Sequence, residues 1–195
     1  MHAQSNIRSG DVLENPVTGE RLTFLEAAAD TAGEYVLIEA ELRQGAAVAA
    51  AHVHPFQTEA FEVLEGRVKF TYGRKKLIAG PGESVTVEPG RRHRFANAGE
   101  GIARFRCEVR PALGFERFIE TLYGLAADGK TSKKGMPSPL RLAVISNAHF
   151  DDVRLPYVPA PLQKLVLGAG AAVGRLVGFK PTYAPVAGQP VLRPA

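Results

Sequence analysis

The chain has 195 residues, 45% of them apolar, and a formal net charge of +4. That is enough for one domain of ordinary size plus an extension, and it excludes a disordered chain. The positive charge falls well short of the Lys/Arg clustering that marks nucleic-acid binding, and one cysteine excludes an intrachain disulfide.

The opening MHAQSNIRSGD lacks the apolar stretch of a signal peptide, and no uncharged apolar run reaches the ~18–20 residues that span a bilayer. With no cysteine usage pointing to an oxidising compartment, a soluble, cytoplasmic protein without membrane association is expected.

Residues 1–10 are polar and read as a loose terminus. From 11 to 110 short strands alternate with Gly, Pro and charged turns. Strands are expected at 21–27, 34–42, 47–54, 59–65, 66–72, 75–79, 83–87, 92–97 and 102–110. The clearest show a strict two-residue alternation. Val36, Ile38, Ala40 and Leu42 share one face, and so do Ala103, Phe105, Cys107 and Val109. Many short strands at close spacing favour an all-β sandwich or barrel over βαβ units. After Pro111 the period becomes helical, with Phe115, Phe118, Ile119, Leu122 and Tyr123 at i, i+3, i+4 spacing up to Gly129. Ser138-Pro139 opens a second helix over 140–147, residues 151–160 read as extended, and a third helix runs from 161 to about 178. Gly170, Gly174 and Gly178 give that helix a small-residue face for close packing against another helix, the barrel or a second subunit. The expected organisation is a β-barrel over 11–110, a helical extension over 111–180, and a loose tail over 181–195.

The chemistry concentrates in GAAVAAAHVHPFQTEAFEVLEG, residues 45–66. His52 and His54 sit two apart, so on a strand both imidazoles face one side. A strand folding back would bring the Glu59 carboxylate to the same point. Imidazole and carboxylate suit Fe, Mn, Ni, Zn or Cu(II). A third histidine, His93, lies in GESVTVEPGRRHRFAN, residues 82–97.

Together these stretches resemble the two motifs of the cupin superfamily. His52, His54, Glu59 and Gly66 match the spacing of the first motif, with Gly45 six residues before His52 where the family has five. Gly82, Gly90, His93 and Asn97 match the second, with Glu88 in the slot of its proline and Pro89 one place later. The resemblance implies a mainly β fold, a jelly-roll barrel (double-stranded β-helix) with C-terminal α-helices here. It implies His52, His54, Glu59 and His93 as ligands of one divalent transition metal ion, and a small-molecule substrate in a homodimer.

Strand phase puts Phe61, Phe70, Tyr72, Phe95 and Phe105 inside the barrel, as candidate substrate-binding residues or as plain core. Cys107 reads as a small buried hydrophobe. Arg91, Arg92 and Arg94 flank His93 as a solvated rim or as steering charges. His2 and His149 acquire no role. The function expected is a metal-dependent dioxygenase, resembling small bacterial quercetinase-like enzymes, that acts on an apolar or aromatic enolisable compound, with Glu59 as catalytic base. The alternatives are a metal-dependent isomerase or polyketide cyclase, and a non-catalytic small-molecule-binding cupin.

Overall fold

The protein is described by a computed structural model over residues 5–184. Ten strands form two antiparallel sheets. They are β1 (Val12–Asn15), β2 (Glu20–Glu26), β3 (Val36–Leu42), β4 (His52–Val53), β5 (Thr58–Glu65), β6 (Val68–Tyr72), β7 (Lys75–Ala79), β8 (Ser84–Val87), β9 (Arg92–Asn97) and β10 (Ala103–Arg110). One sheet has the order β1-β2-β3-β10-β5-β8 and the other β4-β9-β6-β7. Three helices follow: α1 (Phe115–Ala127), α2 (Pro139–Ala148) and α3 (Ala160–Leu176).

The alternating strands do what their pattern requires. On β3, Val36, Ile38, Ala40 and Leu42 are buried, and on β10 so are Ala103, Phe105, Cys107 and Val109. The two strands pair in register, Phe105 opposite Ala40 and Cys107 opposite Ile38. Their outer faces carry charges in pairs, such as Arg106 with Glu39 and Arg104 with Glu65. These exposed pairs contribute little beyond solubility. Between the sheets, Phe61 meets Phe70, Phe95 and Phe105 at ring-centroid distances of 5.1, 5.8 and 5.5 Å. Such offset and edge contacts add to the area these rings bury.

Gly66 turns β5 into β6 with φ +70°, and a Cβ there would meet Ile102 O at 2.5 Å. Both the left-handed backbone and the close approach call for glycine.

Residues 47–51 depart from the strand expected over 47–54. Only His52–Val53 form a strand, and Ala47 makes an isolated bridge to Ala96. The run AAVAAA has one β-branched side chain, so it offers little to hold a ladder. It becomes part of a cavity wall instead. β1, by contrast, is a strand with no counterpart among the expected ones; it pairs with β2 through Val12–Thr23 and Leu13–Leu22.

The glycine face of α3 packs on α2. A Cβ on Gly170 would meet Ala143 Cβ at 2.9 Å, and one on Gly174 would meet Val144 Cγ2 at 2.6 Å. Gly178 ends the helix with φ +87°. No helix among the described residues is long and apolar enough to cross a membrane. The expectation of a loose tail over 181–195 falls mostly outside the described residues.

Candidate metal centre

β4 lies beside β9, with His52 directly opposite His93. His54 follows β4 by one residue, and Glu59 reaches in from β5 on the other sheet. The donor atoms of His52, His54, Glu59 and His93 all lie within 4.8 Å of one another. His54, Glu59 and His93 are buried, and His52 is half-buried.

The ring orientations are fixed from behind. His52 Nδ1 lies 3.0 Å from Ala50 O, His93 Nδ1 3.1 Å from Arg91 O, and His54 Nδ1 2.6 Å from Asp152 O. A carbonyl oxygen only accepts, so each Nδ1 carries the proton and donates it. The Nε2 lone pairs are left for the centre. His54 Nδ1 is also 3.0 Å from Gln57 Oε1, and Gln57 Nε2 donates to Pro111 O and Ala112 O at 3.0 and 3.1 Å. That amide is held with its oxygen toward the histidine.

Glu59 Oε2 lies 2.6 Å from His93 Nε2, and Glu59 Oε1 3.6 Å from His54 Nε2. The shorter approach lacks hydrogen-bond geometry: Glu59 Oε2 and His93 Nε2 are both buried without a partner. Two buried acceptor atoms this close, neither with a hydrogen-bond partner, are an arrangement a cation satisfies. The residues therefore fit a divalent metal: three imidazole nitrogens and one carboxylate oxygen within 4.8 Å of one another.

The electrostatics agree. Burial works to raise the Glu59 pKa, but the imidazoles of His54, His93 and His52 outweigh it and hold the carboxyl at about 2. Burial, then His93 and His54, pushes His52 down to about 3. For His93, burial works to lower the pKa, while the adjacent Glu59 carboxylate outweighs it and raises it. Glu59 and His52 thus favour their metal-ready forms near neutral pH, while His93 holds its proton more strongly.

His52, His54 and Glu59 open on a cavity of about 150 Å³. Phe61, Phe95 and Phe105 line it. Phe70 is fully buried behind Phe61, and Tyr72 is half-buried on β6 opposite His93; neither lines this cavity. Cys107 lines it too, its thiol pushed well up by burial. Arg92 and Arg94 instead face a second, polar pocket with Lys69 and Lys76, on the far side of His93.

The remaining wall comes from the helical extension. Phe118, Ile119 and Leu122 of α1, Met136 and Pro137 of the α1–α2 loop, and Arg154 all line the cavity. Arg154 also pairs its backbone with Val53, at 2.8 and 3.0 Å. Sequence reasoning missed Gln57, Asp152 and Arg154. Gln57 lies inside the first motif, three residues from His54, which is a usable signal. Asp152 is 98 residues away from the histidine it supports, and nothing in the local sequence marks it. His149, given no role from sequence, is buried with Nδ1 2.6 Å from Asp152 Oδ2.

Residues 32–109 match the model of a family described as Cupin domain. The sequence matches none of the curated proteins. Among solved structures it is similar to a predicted oxalate decarboxylase from Thermotoga maritima, at 18% identity and TM-score 0.48, over 57% of this chain and 99% of that one. It is similar to a sugar phosphate isomerase of the cupin superfamily from Silicibacter pomeroyi, at 21% identity and TM-score 0.44, over 49% and 62% of the two chains. The cupin domain of Schizosaccharomyces pombe Cnp3 is similar at 13% identity and TM-score 0.45, over 52% and 68%.

Proposed function

The chain carries a cupin domain over residues 32–109, and from that premise we propose that it is a mononuclear metal-dependent dioxygenase acting on a small apolar or aromatic enolisable compound. The observation that carries the reading is the cluster of His52, His54, Glu59 and His93, whose Glu59 Oε2 and His93 Nε2 lack a hydrogen-bond partner, with His52, His54 and Glu59 opening on an apolar, phenylalanine-lined cavity. His52, His54, Glu59 and His93 would hold one Fe, Mn, Ni, Zn or Cu ion. A bound ion of this kind supplies Lewis acidity toward a substrate oxygen and, where redox-active, a route to dioxygen.

The chain's own residues do the rest. Phe61, Phe95 and Phe105 bind a planar substrate and keep water from it. Glu59, ionised at neutral pH, receives the substrate's enol or phenol proton at Oε1, the oxygen farther from a histidine nitrogen. A carboxyl held near 2 is a weak base, so the proton it takes must come from an oxygen acidified in the site. Phe70 and Tyr72, the other residues expected at the substrate, act from behind this wall. The reading keeps a cytoplasmic homodimer as the working form, which light scattering tests.

The test is oxygen uptake by metal-loaded protein against flavonols, β-diketones and related enolisable compounds. Metal-dependent uptake, lost in His93→Ala, is expected. Absence of uptake across the panel would overturn the dioxygenase reading, and turnover under strict anaerobiosis would replace it with an isomerase or cyclase. Tight binding with no product would leave a non-catalytic binding protein.

A further inference from the structure

β2 enters the barrel on the wrong kind of residue. Its inward phase reads Glu20, Leu22, Phe24, all buried, while Arg21 and Thr23 on the other phase are half-buried. A carboxylate on the apolar phase of a strand is costly unless something pairs with it. Directly across the β1–β2 hairpin, Glu20 faces Asn15, which is buried too. Both line the same cavity as the metal centre.

Each side chain is half used. Glu20 Oε2 accepts from Thr18 Oγ1 at 2.6 Å. Asn15 Oδ1 accepts from the Val17 and Thr18 backbone N–H groups at 3.0 and 3.1 Å, which fixes the amide with Nδ2 away from the turn. Among the described residues, Glu20 Oε1 and Asn15 Nδ2 have no hydrogen-bond partner. Neither atom is fully sealed in protein, and both residues line the cavity. Opposed residues of an antiparallel pair hold their Cβ atoms about 4.5–5.5 Å apart. One acceptor and one donor at that spacing suit a single hydroxyl, which gives its proton to Glu20 Oε1 and receives one from Asn15 Nδ2.

The pair stands apart from the metal centre. Across the sheet, β2 is separated from β5 by β3 and β10. Along it, Glu20 is level with Leu42 and Ala103, whereas Glu59 is level with Val109, which pairs with Val36. The two carboxylates are thus three strands apart across the sheet and six residues apart along it, yet line one cavity. Burial raises the pKa of Glu20, and burial together with Glu20 raises that of Tyr123, which lines the same end.

We propose that Asn15 and Glu20 form a hydroxyl-binding subsite at the end of the cavity remote from the metal centre, and that the natural ligand is an aromatic compound with a metal-binding oxygen at one end and a free hydroxyl at the other. This rests on the reading of the cavity as the substrate pocket.

Two probes separate the ideas: flavonol, and flavonol bearing a para hydroxyl on its phenyl ring. Affinity for metal-loaded protein is measured by fluorescence titration, with metal content and melting temperature checked in every variant. The hydroxylated probe should bind wild type on the order of tenfold or more tightly than the parent. Glu20→Gln, which keeps shape but turns a donor into the cavity, and Glu20→Leu, which removes polarity, should each abolish that preference while the parent flavonol binds as well as before. Asn15→Asp, which retains the turn acceptor and loses the Nδ2 donor, should reduce it. Equal binding of the two probes by wild type, or a preference that survives in both Glu20 variants, overturns the subsite and leaves the pocket standing. Binding of neither probe overturns the subsite together with the pocket reading.

Discussion

Removing the Asp152 carboxylate should cost both stability and metal affinity. Asp152 is buried in the loop after α2, where Oδ1 accepts from Gly114 N at 2.9 Å and Oδ2 from His149 Nδ1 at 2.6 Å. Its backbone oxygen accepts a hydrogen bond from His54 Nδ1 at 2.6 Å. One residue thus ties the start of α1, the end of α2 and a candidate ligand together. Asp152→Ala leaves Gly114 N–H and His149 Nδ1 buried without these partners, at about 1–3 kcal/mol each. Breaking a buried ionisable pair costs about 3–5 kcal/mol, which we take as the total. For a chain of this size that lowers the melting temperature by roughly 6–20 °C. The carbonyl behind His54 survives the substitution but loses its anchor, and disturbed support of a metal-binding histidine costs about 10–100-fold in affinity. The neighbouring Asp151→Ala is the control: its exposed carboxylate pairs only loosely with Arg154, at 3.4 Å, and its loss should cost less than about 1 kcal/mol. Thermal melting and a competition titration with zinc read both quantities. An Asp152→Ala protein as stable as the Asp151→Ala control, or a destabilised one with wild-type zinc affinity, would refute the proposed coupling between extension and ligand.

Three further outcomes follow from the same geometry. Gly174→Ala should lower the melting temperature, because its Cβ would strike Val144 Cγ2 and the Leu140 carbonyl at a cost of about 1–3 kcal/mol, whereas Gly168→Ala meets only Asn147 Oδ1 at 3.8 Å and should gain up to about 1 kcal/mol of helix propensity; a drop in both would contradict the close-packing account of α3. Chelator-treated protein should lose stability as pH falls from about 6.5 toward 2, since His52 is held at about 3 and Glu59 at about 2, so the unfolded chain binds their protons first. His93, raised by Glu59, works the other way and contributes stability that is lost as pH rises through its folded value; urea midpoints across that range check the balance, and a flat profile that Glu59→Gln leaves unchanged would contradict it. Gly66→Ala should destabilise by about 1–2 kcal/mol from its left-handed backbone alone, with more from the contact to Ile102 O, and a wild-type melting temperature would contradict the turn geometry.

Much of the barrel could be read from period alone, because β3 and β10 bury one face and charge the other, and a two-residue repeat has few competing explanations. His52, His54, Glu59 and His93 were legible for a related reason: local spacing fixes phase, and phase fixes where a strand side chain points. What escaped depends on contacts far apart in sequence or on competition between elements. The alanine-rich run 47–51 reads as a strand but carries too little side chain to hold a ladder, and it lines the cavity instead. The α1 face of Phe118, Ile119 and Leu122 shows a helix with a buried side, yet nothing local says that the burial is against a cavity. Asp152 supports His54 across 98 residues, a distance over which pattern carries no information. Glu20 was in principle visible as a charge on the inward phase of its strand, but that phase is defined only once Leu22 and Phe24 are known to face inward.

The central claim is that His52, His54, Glu59 and His93 together hold one divalent metal ion. It is tested most directly by elemental analysis of protein purified without chelator, with melting temperature before and after chelation, alongside His52→Ala and His93→Ala. The account predicts about one equivalent of transition metal per chain, a lower melting temperature once it is removed, and loss of the metal in both variants. Wild-type protein that carries no stoichiometric metal, and whose melting temperature chelator leaves unchanged, would contradict it.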